Sequence, residues 1–497
     1  MKKFCLHFAS LLISIFFLSC CGKTDKDVLR LNICSEPDSF FPWECNVADT
    51  KAVCWNIFEG LLSFDEFGKL HPGLCESYEF SRDKRTCVFH LRGGIKFHNG
   101  AEFSSADCVY TYENLAGLNG KTPVDNILSS IIDGVSAPDS STFVVRLNKR
   151  AGSFLASAVT PILPKDYKDH ATLPIGTGPY KFVEYELHKK IVLERNEHYW
   201  NSQKDAKIHR IEIYVMDDDN KILDALNSNQ LDIAQTTVLG KNHKFSHKYQ
   251  FYSLPQNYIQ IFAMNNSVKP FDNPSVRVAV SIAVDRNEII EKVLSGYGTP
   301  IYSNFSPLLA VYYNDRLTEY YKHDYEAAKA LLKSSGYPDG FDLTITVPEN
   351  YKIHVDTAEV IARQLAKIGI RCKIKKIDWL DWLSQVNEKF DYEATVIAFT
   401  GRLEPAQTLM RYRSDFEYNF MRYNNPLFDE TLKKAENEPL LTKRINYFKY
   451  CQELLTKDAP AVFICDPNNA ILMRRDLHGY VFYPIPCYDF SRMYFEE

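Results

Sequence analysis

The chain lacks the marks of the common enzyme classes. It has no H-E-x-x-H, no G-x-S-x-G and no G-x-x-x-x-G-K-[ST], so zincin chemistry, a serine nucleophile on an elbow and a nucleotide-hydrolysing loop find no support. No C-x-x-C occurs either, which disfavours a zinc ribbon or a thioredoxin-like site. Beyond the N-terminus no apolar run approaches ~18 residues, the length of a spanning helix. Internal repeats and low-complexity segments are also missing. The nearest metal-like pair, His243 and His247, shares a face only if its lysine-rich stretch is helical. It supplies half a zinc shell, so it reads as solvated surface. No metal, cofactor or catalytic residue is expected.

What is present fits a large globular chain. Its 497 residues, 45% hydrophobic and 24% charged with a formal net charge of −5, exceed the ~150-residue prior for one domain and can bury two cores. The mild acidity argues against a nucleic-acid partner. Aromatics are plentiful, at 32 Phe, 30 Tyr and 5 Trp, which suits a cleft walled with rings and suits ordinary cores equally well.

The N-terminus resembles a secretory signal. Lys2 and Lys3 form a positive region and Phe8–Leu18 an apolar one of signal-peptide length. The stretch Phe17-Leu18-Ser19-Cys20-Cys21 resembles a lipobox, with Cys20 as the expected acylated anchor and Cys21 as the alternative, after a signal spanning residues 1–20. The expected location is periplasmic or cell-surface, attached to the membrane through the lipid and otherwise soluble. Of the 13 cysteines, those outside the signal and the anchor make an odd number with no tight spacing, so most read as small buried apolar residues. Within the first hairpin Cys87 should face Phe80 and Cys75 should face Arg92, leaving the two thiols unbonded.

Along the chain the pattern is mixed α/β. Residues 79–91 read as two strands around Ser81-Arg82-Asp83-Lys84. A helix follows, capped by Ser104 or Ser105, with Val109, Tyr112 and Leu115 at helical spacing. The segment Gly176–Trp200 (GTGPYKFVEYELHKKIVLERNEHYW) reads as a second hairpin. Its G-T-G opening is followed by Pro179 and lacks a third glycine, so it is no dinucleotide loop. Asp324–Gly336 reads as a capped helix. Leu343, Ile345 and Val347 alternate as a strand, and Asp356 is a candidate cap for a helix bearing Val360, Ile361, Leu365 and Ile368. Gly369 stops that helix before a second strand at Ile370, Cys372 and Ile374. A strand, a crossover helix and a strand imply parallel neighbours.

Several of these segments together resemble one family. The runs Asn56–Leu61 (NIFEGL), Leu70–Tyr78 (LHPGLCESY), Cys87–Asn99 (CVFHLRGGIKFHN) closing on Gly100, Ala101–Tyr112 (AEFSSADCVYTY) and Gly176–Trp200 are similar to bacterial extracytoplasmic solute-binding proteins of family 5. These are the oligopeptide, dipeptide and nickel receptors of ABC importers, and the chain matches them in their lipoprotein form. The resemblance implies the large, three-subdomain periplasmic binding protein fold of type II. Lobe I would comprise residues 28–255 plus 467–497, with an inserted subdomain near 61–170, and lobe II residues 256–466. The lobes would close by hinge motion over a ligand and hand it to a permease and its ATPase, the receptor acting as a monomer without catalysis.

The resemblance also implies ligand contacts. Peptide receptors of this type hold the ligand's α-ammonium with an acid after an aromatic-x-Gly/Ala run. Here the segment reads Phe399-Thr400-Gly401-Arg402-Leu403-Glu404-Pro405, one residue shorter, so Arg402 falls where the carboxylate is expected. A guanidinium cannot capture an ammonium. Either Glu404 reaches back to substitute, or the site takes an anionic ligand, with Arg402, Arg411 and Arg413 as a local cluster. Arg402 has the alternative of pairing with Asp391 or Glu404. The arginine that dipeptide receptors carry after the strand ending in Pro348 is absent from Glu349-Asn350-Tyr351. Glu36, with Asp38, matches a cleft-lining loop, or is a solvated acid. Trp379 matches an aromatic wall, or is core. The expected ligand is an oligopeptide or modified peptide. A nickel chelate, haem or a chaperone-like surface role stands as the alternative.

Overall fold

A computed structural model describes residues 26–496 apart from 46, 151–153, 204–205, 236–246 and 439. The signal segment with Cys20 and Cys21, and His243, lie outside the described residues.

One strand, Ala461–Arg474, organises the molecule. Its first part pairs antiparallel with Tyr258–Met264 through Ala461–Cys465, and its second part pairs with Tyr249–Pro255 and Ile233–Gln235. On one side the sheet continues through Ala394–Thr400 to the parallel pair Asp342–Pro348 and Arg371–Ile377. On the other it continues through Val28–Ile33, Arg210–Val215, Lys190–Arg195 and Tyr180–Glu186, and the short strand Gly298–Pro300 pairs with Cys465–Pro467, giving twelve strands in all. The architecture is mixed α/β with two lobes, and one buried acid in the long strand ties the segment before Tyr258–Met264. Asp466 accepts backbone N–H groups from Gln256 (3.2 Å), Asn257 (2.9 Å) and Tyr258 (3.1 Å).

The strand–helix–strand unit forms as its pattern implies, with Val360, Ile361 and Leu365 of the helix Lys352–Ala366 buried against the parallel strands. The start of that helix differs from the expectation. It begins at Lys352, after the strand ends at Pro348, with Tyr351 at the cap position, so Asp356 sits inside the helix and pairs with Lys352 at 2.6 Å. The neighbouring helix Tyr325–Ser334 is capped by Asp324, which accepts from Glu326 and Ala327 N–H.

A separate four-stranded sheet is built from Cys75–Phe80, Thr86–Leu91, Thr142–Leu147 and Ile132–Asp139. The helix Ser105–Ala116 packs on it, opened by a capping box in which Ser104 N–H donates to Asp107 at 2.9 Å. Its core is aromatic, with Phe89, Tyr112, Phe143 and Phe154 all buried. Phe80 faces Cys87 in the hairpin. Cys75 faces Leu91 rather than Arg92, because a bulge between Cys75 and Ser77 shifts the register. No disulfide joins any two of the described cysteines.

The G-T-G segment has a packing role. A Cβ added at Gly176 would stand 2.0 Å from the Ile57 carbonyl oxygen, and one at Gly178 would stand 2.3 Å from that of Asn56. Between them Thr177 donates to Glu59 at 2.8 Å, and Glu59 also accepts from Tyr199 and Trp200, each at 2.7 Å. Among the described residues, no helix is long and apolar enough to cross a membrane.

Candidate functional site

A cavity of about 530 Å³ opens where the two lobes face each other, within the size range of small-molecule sites. From the first lobe come the helix Ala48–Cys54, the following Trp55 and Phe58, and the turn around Val159 and Thr160. From the second comes the loop Thr400–Glu404, which leaves the sheet at the end of strand Ala394–Thr400. Gly401 is required in that loop: its N–H donates to the Asn257 carbonyl at 2.6 Å, and a Cβ would stand 2.0 Å from the Asn257 side-chain oxygen. Asn257 in turn donates to Pro484 O at 2.7 Å, so the loop is anchored through Asn257 to the C-terminal segment.

The charged groups that line the cavity divide by sign. Glu404 is buried, accepts the Ala406 N–H at 3.1 Å as cap of the helix Pro405–Leu409, and is bound by Arg444. Asp125 caps the helix Asn126–Ile131, accepting from Ile127 (2.8 Å) and Leu128 (3.0 Å). Both carboxylates are therefore committed to the fold. The two cations that line the cavity, Lys51 and Arg402, are exposed and form no ion pair among the described residues. They come from opposite lobes.

Behind Arg402 lies a second cation. The Arg411 guanidinium stacks on the Phe399 ring at 3.5 Å, its buried Nε has no hydrogen-bond partner, and it forms no ion pair among the described residues. Burial lowers its pKa to about 10, with the charge of Arg402 adding to the effect. Arg413 does not join them. It binds Asp415 at 2.9 Å and approaches Glu436 at 3.8 Å, so the expected three-arginine cluster reduces to Arg402 and Arg411. Glu404 is held by Arg444 and the Ala406 N–H, and Arg402 is paired with neither Asp391 nor Glu404.

The remaining expected residues sit elsewhere. Glu36 is only partly exposed and accepts from Tyr185 and from His188 N–H at 2.9 Å, so the hairpin Tyr180–Arg195 holds it. Burial pushes its carboxyl up, but the hydrogen bonds from Tyr185 and His188 outweigh this and hold it below the ordinary value. Asp38 accepts from Val47 N–H at 3.3 Å. Trp379 stacks on Trp382 with ring centroids 5.3 Å apart and packs at the edge of the second lobe's core. None of the three lines the cavity. The sequence reading missed Lys51, Trp55 and Phe58. Trp55 and Phe58 flank or lie within the NIFEGL run, whereas Lys51 sits in the helix before it and carries no sequence signal.

The chain matches the family model of bacterial extracellular solute-binding proteins, family 5 (middle) over residues 69–419. The chain belongs to this family. The glutathione-binding protein GsiB of Pectobacterium atrosepticum is 26% identical to this family 5 protein over 479 residues, covering 91% of each chain. Heme-binding protein A of Haemophilus influenzae is 27% identical over 456 residues, covering 83% of this chain and 82% of its own. The solved structure of the periplasmic binding protein DppA from Helicobacter pylori, in complex with the peptide STSA, superposes with a TM-score of 0.76 at 24% identity. That match covers 95% of this chain and 98% of the other. The family 5 protein is thus a two-lobed solute-binding receptor of the ABC-importer class. Among its described residues no three His, Cys, Asp or Glu side chains converge as a metal site.

Proposed function

We propose that this receptor captures a short peptide-like ligand bearing carboxylates and delivers it to an ABC permease and ATPase. The observation that carries the reading is the charge division of the cavity. Its two acids cap helices, while Lys51 and Arg402 face it from opposite lobes without counter-ions among the described residues. A ligand carboxylate bridging them gains charge-assisted hydrogen bonds only in the closed state, which couples binding to closure. The apolar wall of Trp55, Phe58 and Ile485 accommodates the rest of the ligand.

The glutathione-binding relative supports this choice, since glutathione is a tripeptide with two carboxylates. The reading narrows the general oligopeptide expectation, because the amine-capturing acid has no free equivalent in the loop. Haem also carries carboxylates and stands as the second reading, favoured by the aromatic wall. The lobes are proposed as residues 28–255 with 467–497 and residues 256–466. The receptor works as a monomer held at the membrane by acylated Cys20, with Cys21 as the alternative.

Calorimetric titration of the purified receptor with glutathione, haem, and free and C-terminally amidated short peptides tests the reading. Saturable binding of glutathione or free-acid peptides, lost on amidation, is the expected result. Equal affinity for amidated and free peptides would refute it. Acylation is checked by mass spectrometry of the N-terminal peptide from the membrane-extracted protein.

A further inference from the structure

Two thiols sit in the wall of this cavity, and carboxylate capture makes no use of them. Cys45 closes the turn after Phe41, its N–H donating to the Phe41 carbonyl at 2.9 Å. Cys54 ends the helix Ala48–Cys54, its Sγ 3.9 Å from the carbonyl oxygen of Phe40. Of the described cysteines these two alone line the cavity. Cys45 Sγ lies 3.8 Å from the Val47 carbonyl oxygen, both thiols are free, and each perturbs the ionisation of the other, which places them as neighbours in one wall.

The pair is asymmetric, one thiol being lowered and the other raised. The hydrogen bond from Cys54 draws the Cys45 thiol below its ordinary pKa. Nearby Lys51 helps, while burial and Asp38 oppose. Cys54 is pushed well up by the same hydrogen bond and by burial. Cys75 and Cys372, by contrast, are simply raised by burial, to about 11 and about 12. A thiol of lowered pKa is the readier nucleophile, and raised thiols are inert; Cys45 is itself only 4% exposed, so a disulfide reaches it only through the cavity that it lines. Cys45 therefore has the character of an attacking thiol and Cys54 that of a resolving one.

We propose that Cys45 and Cys54 form a redox-active dithiol in the ligand cavity, acting on small disulfides of cysteine-containing compounds that enter it. The Cys45 thiolate attacks one sulfur of the disulfide, whose S–S bond breaks. The departing thiolate takes up a proton and leaves as a thiol. Cys54 then loses its proton and attacks Cys45 Sγ, closing the Cys45–Cys54 bond and expelling the second half as a thiol. Two protein thiols are oxidised and one disulfide is reduced to two thiols. An extracellular location keeps such disulfides in supply. The inference rests on the cavity and not on the carboxylate reading, so either can fail alone.

The test equilibrates the full receptor with cystine and cysteine in varied ratio, quenches with acid, alkylates, and maps the peptides by mass. The expected result is a Cys45–Cys54 linked peptide that appears with a single midpoint while the other thiols remain alkylated. In Cys54→Ser a mixed disulfide with cysteine should accumulate on Cys45, forming about tenfold faster than on Cys54 in Cys45→Ser. Recovery of both thiols fully alkylated at every ratio overturns the proposal, as does pairing of either with another cysteine. Equal trapping rates in the two variants overturn the assigned order of attack. If the variants misfold, the wild-type map decides the pairing unaided.

Discussion

Arg444 and Glu404 form a buried ion pair, Nη2 donating to Oε1, with side chains 8% and 3% exposed. The guanidinium is further fixed by a hydrogen bond from Nε to Ala435 O at 3.2 Å and by the Phe448 ring 5.0 Å away. Among the described residues Glu404 is one of only two acids that line the cavity, and this pairing commits it to the helix behind it. The loop Thr400–Glu404 consequently offers the cavity a cation and no unpaired acid.

Arg444→Met should therefore destabilise the receptor without changing its ligand preference. Removing one partner of a buried pair leaves the other charge uncompensated, at a cost of about 3–5 kcal/mol. Denaturant unfolding measures the loss, and adding Glu404→Gln to the same chain should recover much of it. If Glu404→Gln alone abolished ligand binding, Glu404 would be a ligand contact rather than a structural acid.

Arg402→Gln and Lys51→Gln should each weaken a carboxylate-bearing ligand by roughly 10- to 100-fold, the range of one charge-assisted hydrogen bond of about 1.5–3 kcal/mol. Both side chains are exposed and lack ion pairs among the described residues, so stability should change by less than about 0.5 kcal/mol. Titration of each variant with free and amidated ligand checks the point. Arg402→Asp should lose the ligand more completely, because the new acid would pair with Arg411 and repel a carboxylate. A rise in affinity for amine-bearing peptides in Arg402→Asp would show that the loop still supports amine capture.

Much of the fold was legible because it rests on local pattern. The alternation at Leu343, Ile345 and Val347, the helical face at Val360, Ile361 and Leu365, and the caps at Ser104 and Asp324 are properties of neighbouring residues. The site was less legible. Arg402 stood out because it breaks an expected motif, but the fate of Glu404 depends on Arg444, forty residues away. The opposition of Lys51 to Arg402 exists only once the lobes meet. Cys75 was misplaced by one residue because a bulge leaves no signature in alternation. Asp356 looked like a cap because its chemistry suits one, whereas the strand end at Pro348 set the helix start earlier.

Gly176→Ala should destabilise the first lobe. The added methyl would stand 2.0 Å from the backbone oxygen of Ile57, which cannot move without disturbing the NIFEGL turn and the Thr177–Glu59 bond. Overpacking of this kind costs about 1–3 kcal/mol. Thermal unfolding of the variant measures it, and an unchanged transition would mean that the two segments are not in close contact.

Asp466 gives the protein a specific acid dependence. Its carboxyl is fully buried, and burial raises its pKa from 3.8 to about 6 despite hydrogen bonds from Ser306, Tyr258, Gln256 and Asn257. A group whose folded pKa exceeds its unfolded one binds the proton more tightly when folded. Its contribution to stability is thus fully present below about pH 4, declines as pH rises towards 6, and is gone above that. The difference of about two units corresponds to about 3 kcal/mol. Other carboxylates, such as Asp476 beside Arg474, are shifted below their ordinary values and act in the opposite sense, so the wild-type profile alone is not diagnostic. Asp466→Asn removes this titration and keeps one acceptor for the backbone of Gln256–Tyr258. The stability of wild type minus that of Asp466→Asn, from urea unfolding at pH 4 and pH 7, should fall as pH rises. Parallel profiles for the two proteins would mean that Asp466 stays ionised throughout.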